Sequence, residues 1–240
     1  MPYRRLPNTD SARMRALRAI CEQKSIKDGL GLPFSNKTLN EVQNFIPLFE
    51  NALSEYKQAI LSQTSKSKKY QNLVKNARMY ISHFIQVLNL ACIRNEIKPE
   101  KKLLYKLLPD NNSIPDLSTE MLLIEWGKNI IEGESERTRG GGAPIYNPAI
   151  AKVSVHYDLF KEAYQSKKIA QKNGQRFLES LQIMRDKADA IILDLWNQIE
   201  KSFSPFGVEE MQRLSREYGI IYYLRRKERQ AIKREEISSL

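Results

Sequence analysis

The segment GGGAPIYN, residues 140 to 147, has a second copy in this chain, GLGLPFSN at residues 29 to 36. The two copies align without a gap, and the same spacing of 111 positions continues beyond them. It gives 13 identical residues in the ungapped stretch from Gly29 to Cys92, about three times the number expected by chance. The sequence therefore predicts an internal duplication.

The start of each repeat is marked by a proline and a helix-capping residue. LPNTDS at residues 6–11 resembles IPDLST at residues 114–119, with the spacing shortened by three positions. We therefore predict a first repeat at residues 1–113 and a second at residues 114–224, which share one core. A basic C-terminal tail at residues 225–240 follows.

The glycine segment is interpreted as a bend between helices. Glycine accepts a positive φ at a helix end, proline extends the residue before it, and Asn36 or Asn147 can cap the next helix. Pro148 then suits the first helical position. Neither a Walker loop nor a dinucleotide fingerprint is present. Phosphate binding remains the alternative, because Arg137 and Arg139 lie beside the glycines.

Apolar residues spaced three and four positions apart predict long helices after each glycine segment. Pro47 predicts a kink or a helix start near Phe45 in the first copy. Polar turns are predicted at residues 62–68 and 172–174, each followed by a return helix. The predicted fold is all-α: two long helical hairpins form a four-helix-bundle-like core. Shorter flanking helices are predicted near residues 11–24, 98–108, 118–132 and 207–218.

The segment IIYYLRR, residues 220–226, leaves two interpretations open. Its β-branched and aromatic residues favour a short strand, which would need a partner. The alternative is a helix that continues into the tail.

The pattern of polar residues indicates no catalytic residue, metal ligand or cofactor site. His83 and His156 fall at different places in the two repeats. Glu132, Glu134 and Glu136 are interpreted as a solvated linker. Cys21 and Cys92 lack metal-site spacing and are expected to pack as small apolar residues.

Charge gives the only functional hint in the sequence. The net charge is +11, and no acidic residue occurs between Glu55 and Glu96. Further basic clusters lie in the C-terminal tail and near the start of the chain. Solubility alone is one explanation for these clusters, and the alternatives are nucleic acid or an acidic protein as a partner. The candidate polyanion-contacting residues are Lys66, Lys68, Lys69, Lys75, Arg78, Arg225, Arg226, Lys227 and Arg229. The cluster near the start comprises Arg4, Arg5, Arg13, Arg15 and Arg18.

Several segments together resemble a family of uncharacterised bacterial helical proteins of similar length. They are YRRLPNTD near the start, EWGKNIIEGE, GGGAPIYNPAIAKV and the late YGIIYYLRR. The resemblance implies a bacterial source, and it supplies no activity or site. No signal-peptide pattern and no membrane-spanning apolar run is found, so we expect a cytoplasmic protein.

We expect a non-enzymatic protein-interaction or scaffold protein, which binds a protein partner or self-associates. The alternative is a nucleic-acid-binding protein that uses the basic first hairpin and the C-terminal arm. No membrane and no metal is expected as a partner.

Overall fold

The computed structural model describes residues 3–26, 31–65 and 67–223. This part of the chain is all-α, as predicted, apart from two very short strands. No helix in it combines the length and the apolar character that a membrane span requires. In chain order the elements are β1 (Tyr3–Arg4), α1 (Asp10–Ile26), α2 (Asn36–Ser65), α3 (Ser67–Ile93), a 3-10 helix (Pro99–Tyr105), α4 (Glu120–Arg139), α5 (Ile150–Phe203), a 3-10 turn (Ser204–Phe206), α6 (Val208–Glu217) and β2 (Tyr222–Tyr223).

Threonine side chains cap α1 and α4, which confirms the capping predicted before these helices. The Thr9 hydroxyl accepts a hydrogen bond from the Ala12 amide at 3.2 Å. The Thr119 hydroxyl accepts one from the Leu122 amide, also at 3.2 Å. Each bond satisfies one of the amides that a helix leaves unpaired at its start.

Helix α2 begins at Asn36 and runs through Pro47 without a break. The predicted helix start near Phe45 is therefore wrong. The prediction that Asn36 is the cap is also wrong, because the Ser35 hydroxyl accepts from the Thr38 amide at 3.1 Å. The exposed position of Pro47 explains its tolerance, since a carbonyl that loses its helical partner there can be hydrated.

Helix α5 begins later than predicted. The Asn147–Pro148 peptide is cis, and Tyr146 and Ala149 form an isolated β-bridge around it. This turn delays the helix until Ile150. Asn147 is consequently not its cap, and Pro148 is not its first residue.

The described residues divide into two compact units. Unit 1 comprises the residues described up to Gln58 together with Gln175 and those that follow it. It contains α1, most of α2, the last part of α5, α6 and both strands. Its core includes Leu17, Val42, Phe49, Ala188, Ile192 and Trp196.

Strand β2 lies in unit 1 and pairs antiparallel with β1. Tyr3 lies opposite Tyr223, and Arg4 lies opposite Tyr222. This pairing supplies the partner that a strand in residues 220–226 requires, so the strand interpretation is confirmed for Tyr222–Tyr223. Ile220 and Ile221 form neither helix nor strand, and residues 224–226 lie outside the described residues.

Unit 2 comprises the residues described between Ala59 and Gly174. It contains the end of α2, α3, the longer 3-10 helix, α4 and the first part of α5. Its core includes Ala77, Ile81, Phe84, Tyr105, Val153 and Phe160.

Each unit takes helices from both predicted repeats. Unit 1 combines α2 with the last part of α5, and unit 2 combines α3 with the first part of α5. Burial nevertheless follows the spacing of 111 positions in the sequence. The buried pairs are Val42 and Val153, Phe49 and Phe160, Ala77 and Ala188, and Ile81 and Ile192.

The turn predicted at residues 172–174 is absent, because α5 is continuous from Ile150 to Phe203. Gly174 lies inside this helix and is buried. A Cβ atom there would come within 2.5 Å of the Gln63 amide nitrogen. That nitrogen donates to the Ala170 carbonyl at 3.0 Å. The glycine therefore serves a close approach between α2 and α5, and no chain reversal occurs.

Candidate functional site

The candidate polyanion-contacting residues that the structure describes all lie on α3. Lys68, Lys69 and Lys75 are exposed. Arg78 is half-buried, and its guanidinium donates to the carbonyls of Leu117 and Ser118, both at 2.9 Å. The other candidates, Lys66, Arg225, Arg226, Lys227 and Arg229, lie outside the described residues.

The exposed side of α3 is a stripe whose residues are three or four positions apart. We call it the α3 face. It consists of Lys68, Asn72, Lys75, Met79, His83, Gln86, Leu90 and Ile93, with Lys69 beside it. Residues at this spacing lie on one side of a helix. The opposite side of α3 packs into the unit 2 core through Ala77, Ile81, Phe84, Ile85 and Leu88.

Charge on the α3 face has a single sign. Helix α3 contains no aspartate or glutamate. Lys68, Lys69 and Lys75 form no ion pair with another described residue. Their ammonium groups are therefore available to a partner.

The other half of the α3 face carries three exposed apolar residues, with His83 and Gln86 between them. Met79 and Leu90 are each 50% exposed, and Ile93 is 60% exposed. Isolated exposed apolar residues are ordinary in soluble proteins, but these three belong to one stripe. Sequence reasoning did not include them among the candidate residues. The signal was available, because all three lie off the apolar stripe that forms the core.

A buried polar cluster joins the 3-10 helix to α4. Glu134 is fully buried, so its interpretation as part of a solvated linker is wrong, whereas Glu132 and Glu136 are exposed as expected. Arg137 donates to both carboxylate oxygens of Glu134, at 2.9 and 2.8 Å. The Tyr105 hydroxyl also donates to Glu134.

This cluster fixes the loop after α4. Arg137 donates to the Ala143 carbonyl at 2.8 Å, and Glu134 accepts from the Ile145 amide at 3.1 Å. Burial, together with the hydrogen bond to Glu134, raises the pKa of Tyr105 well above its ordinary value. These contacts give the cluster a structural role, since they hold the loop after α4 in place.

The amides of the glycine segment are already used within the chain. Those of Gly140, Gly141 and Gly142 donate to the carbonyls of residues 136, 138 and 137 at 3.0 to 3.1 Å. The segment closes the C-terminal end of α4, and Gly141 has a φ of +87°. A cavity of about 480 Å³ beside it is lined by Lys98, Lys101 and Arg137 among others. The loop is therefore a bend, and its amides offer no cradle for phosphate.

The histidines and cysteines do not form a site within the described residues. His156 stacks on Tyr80 with ring centroids 4.1 Å apart, whereas His83 is exposed on α3. Cys92 is buried and Cys21 is partly buried. No group of three or more histidine, cysteine or acidic residues in this part of the chain could hold a metal ion.

No protein-family model, curated protein or solved structure matches the chain. The α3 face is consequently the feature of the molecule that bears on function.

Proposed function

We propose that the protein is a non-enzymatic interaction protein that binds an acidic partner protein through the α3 face. The supporting observation is that one helix presents, in a single stripe, exposed apolar side chains and lysines that form no ion pair with another described residue. As parts of the same proposal, the source is bacterial and the location is the cytoplasm. These two parts rest on the resemblance and on the composition of the sequence.

The order of side chains along α3 indicates the chemistry of the partner. Lys68, Lys69 and Lys75 occupy its first turns, whereas Leu90 and Ile93 occupy its end. An amphipathic helix with carboxylates at one end and leucines at the other complements both halves. Burial of the apolar half contributes affinity, and the lysines contribute orientation and association rate.

A labelled acidic amphipathic peptide tests this proposal in fluorescence-anisotropy titrations against the full chain. A peptide of the same composition in scrambled order is the control probe. We expect Lys75→Glu and Leu90→Gln each to weaken binding of the ordered peptide about fivefold, which corresponds to roughly 1 kcal/mol. Lys172→Glu is the matched control, because Lys172 is an exposed lysine of α5 in the same unit.

Equal binding of the ordered and scrambled peptides would refute the proposed complementarity. Indifference to both α3 substitutions would do the same. If the α3 face instead joins two copies of this chain, light scattering will show a dimer that Leu90→Gln dissociates, and the acidic-partner proposal fails.

Nucleic acid is the second candidate, and the single sign of charge on the α3 face favours it. Duplex DNA bound there should lose affinity with salt at a slope of about −0.9 per phosphate contacted. Lys75→Glu should weaken DNA binding, whereas Leu90→Gln should leave it unchanged. This response of Leu90→Gln separates the two candidates.

We further propose that the two units descend from a duplicated ancestor whose return helices have been exchanged between copies. The shared loop sequence and the equivalent burial at a spacing of 111 positions support this. Exchange accounts for the way each unit draws helices from both repeats.

A further inference from the structure

Unit 1 contains a cavity of about 770 Å³ between the segment before α1, α1 itself and the segment before β2. We call it the arginine cavity. Its charged lining residues are Arg5, Arg15, Arg18, Glu22 and Arg216. Four arginines and one glutamate therefore line the cavity within the described residues.

Three of the four arginines at this cavity differ from their neighbours in how they are paired, whereas the fourth, Arg18, forms an ion pair with Glu50. Arg4 is paired with Glu200 at 3.0 Å, and Arg13 is paired with Asp189 at 2.8 Å. By contrast, Arg5, Arg15 and Arg216 form no ion pair with another described residue. Like charges held near one another repel, so their convergence on one cavity favours an anionic occupant.

Apolar groups form another wall of the cavity. Ala12, Ala16 and Ala19 lie three and four positions apart on α1 and line it, together with Ile220 and Ile221. The chain before β2 approaches α1 closely, since a Cβ at Gly219 would lie 3.0 Å from the Cβ of Ala19. A ligand with a flat apolar part can cover this wall.

We propose that the arginine cavity binds a nucleotide unit, with its phosphate on the arginines and its base against the alanine and isoleucine wall. Guanidinium groups bind phosphate oxygens in a fork geometry, and a phosphate carries more charge than a carboxylate does. The cavity is within the range of roughly 300 to 1,000 Å³ that is typical of small-molecule sites. This inference goes beyond the proposed function, because it uses the other unit and different residues.

The test measures binding of a fluorescent adenine nucleotide to the full chain at low salt. Arg15→Gln and Arg216→Gln are the test variants, and each should weaken binding about tenfold, which is a typical loss for a charge-assisted hydrogen bond. Arg213→Gln is the matched control. Arg213 lies on the same helix as Arg216, is bound to Glu210 at 2.8 Å and does not line the cavity. Circular dichroism checks that each variant is folded.

Competition with other probes identifies the part of the ligand that is bound. Inorganic pyrophosphate should compete more weakly than the nucleotide, because it cannot cover the apolar wall. Ala12→Leu should lower the affinity for the nucleotide and leave that for pyrophosphate unchanged. A single-stranded oligonucleotide that binds more tightly than the nucleotide indicates nucleic acid as the source, and equal affinity indicates a free nucleotide.

Three results would overturn the proposal. They are absence of nucleotide binding at low salt, binding that Arg15→Gln and Arg216→Gln leave unchanged, and equal binding of an acidic peptide of the same charge. The last result would identify the cavity as a contact for acidic protein chains.

Discussion

Arg13 and Asp189 are 176 positions apart in sequence and are joined by two hydrogen bonds of 2.8 Å. Asp10 and Arg185 form a second bidentate pair, at 2.8 and 2.7 Å. Both pairs attach α1 to the last part of α5 within unit 1. The ion pairs therefore accompany the apolar core in joining segments from the two ends of the chain.

Arg185→Gln should destabilise unit 1 in a pH-dependent way. The hydrogen bond from Arg185 holds the pKa of Asp10 below its ordinary value. Because the pKa of Asp10 is lower in the folded state than in the unfolded state, the ion pair contributes its full stabilisation of the folded state above the ordinary carboxyl pKa. This contribution is lost as the pH falls through the lowered pKa of Asp10. We expect a cost of about 1 kcal/mol at neutral pH and almost none in strong acid, measured by urea unfolding.

Arg176→Gln is the control for this measurement, because Arg176 is an exposed arginine of the same helix. It should change stability little at either pH. An equal cost of Arg185→Gln at both pH values would show that the pair with Asp10 does not carry the effect.

Glu134→Gln should be strongly destabilising. It removes the charge that compensates Arg137, which is 5% exposed. An unpaired buried charge costs about 3–5 kcal/mol, whereas Tyr105→Phe should cost about 1–2 kcal/mol, because its hydroxyl donates to Glu134 and accepts from Arg137 and both hydrogen bonds are lost. Glu136→Gln at an exposed position of α4 should stay within about 0.5 kcal/mol. Equal urea midpoints for Glu134→Gln and Glu136→Gln would contradict the burial of Glu134.

Alanine substitutions at two helical glycines should differ in effect. At Gly133 a Cβ would lie 2.8 Å from the Leu104 carbonyl oxygen, so the backbone must shift at a cost of about 1–3 kcal/mol. At Gly174 the Cβ would meet only the end of the Gln63 side chain, which can turn aside. Gln63 would then lose its hydrogen bond, and this loss offsets the roughly 1 kcal/mol by which alanine stabilises a helix relative to glycine.

A second background makes the Gly174 prediction specific. In Gln63→Ala the obstacle is gone, so Gly174→Ala should stabilise by about 1 kcal/mol in thermal or urea unfolding. Destabilisation in that background would show that residues 172–174 require a conformation that only glycine adopts.

Equivalent residues of the proposed duplication should respond alike. Phe49 and Phe160 are both fully buried, so Phe49→Ala and Phe160→Ala should each cost about 3–5 kcal/mol in urea unfolding. Leu48 and Leu159 have the same spacing and are exposed, so the corresponding alanine variants should cost far less. If only one of these two phenylalanine variants lost about 3–5 kcal/mol of unfolding free energy, the two positions would not be packed equivalently.

The helices and the caps of α1 and α4 could be predicted from sequence because their signals are local. An apolar stripe specifies that a helix face is buried, but it does not specify the helix that covers it. The sequence therefore could not reveal that α2 packs with the last part of α5. Gly174 was wrongly predicted to lie in a turn for the same reason: its role depends on Gln63, which belongs to another helix.

The α3 face could be predicted only in part. The absence of acidic residues in α3 identified Lys68, Lys69 and Lys75 as candidates. The burial of Glu134 could not be anticipated, because it depends on Tyr105 and on the loop that returns to Arg137. Polar groups that compensate one another across separate elements leave no periodic pattern in the sequence.

The division of the chain into units also sets the order in which the ribosome can complete them. Unit 2 is continuous from Ala59 to Gly174, so its core can close during synthesis as soon as those residues have emerged. Residues up to Gln58 emerge before unit 2, yet they can complete the core of unit 1 only after Gln175 and the residues that follow it have emerged. Unit 1, whose first segment precedes unit 2 in the chain, is thus completed after unit 2.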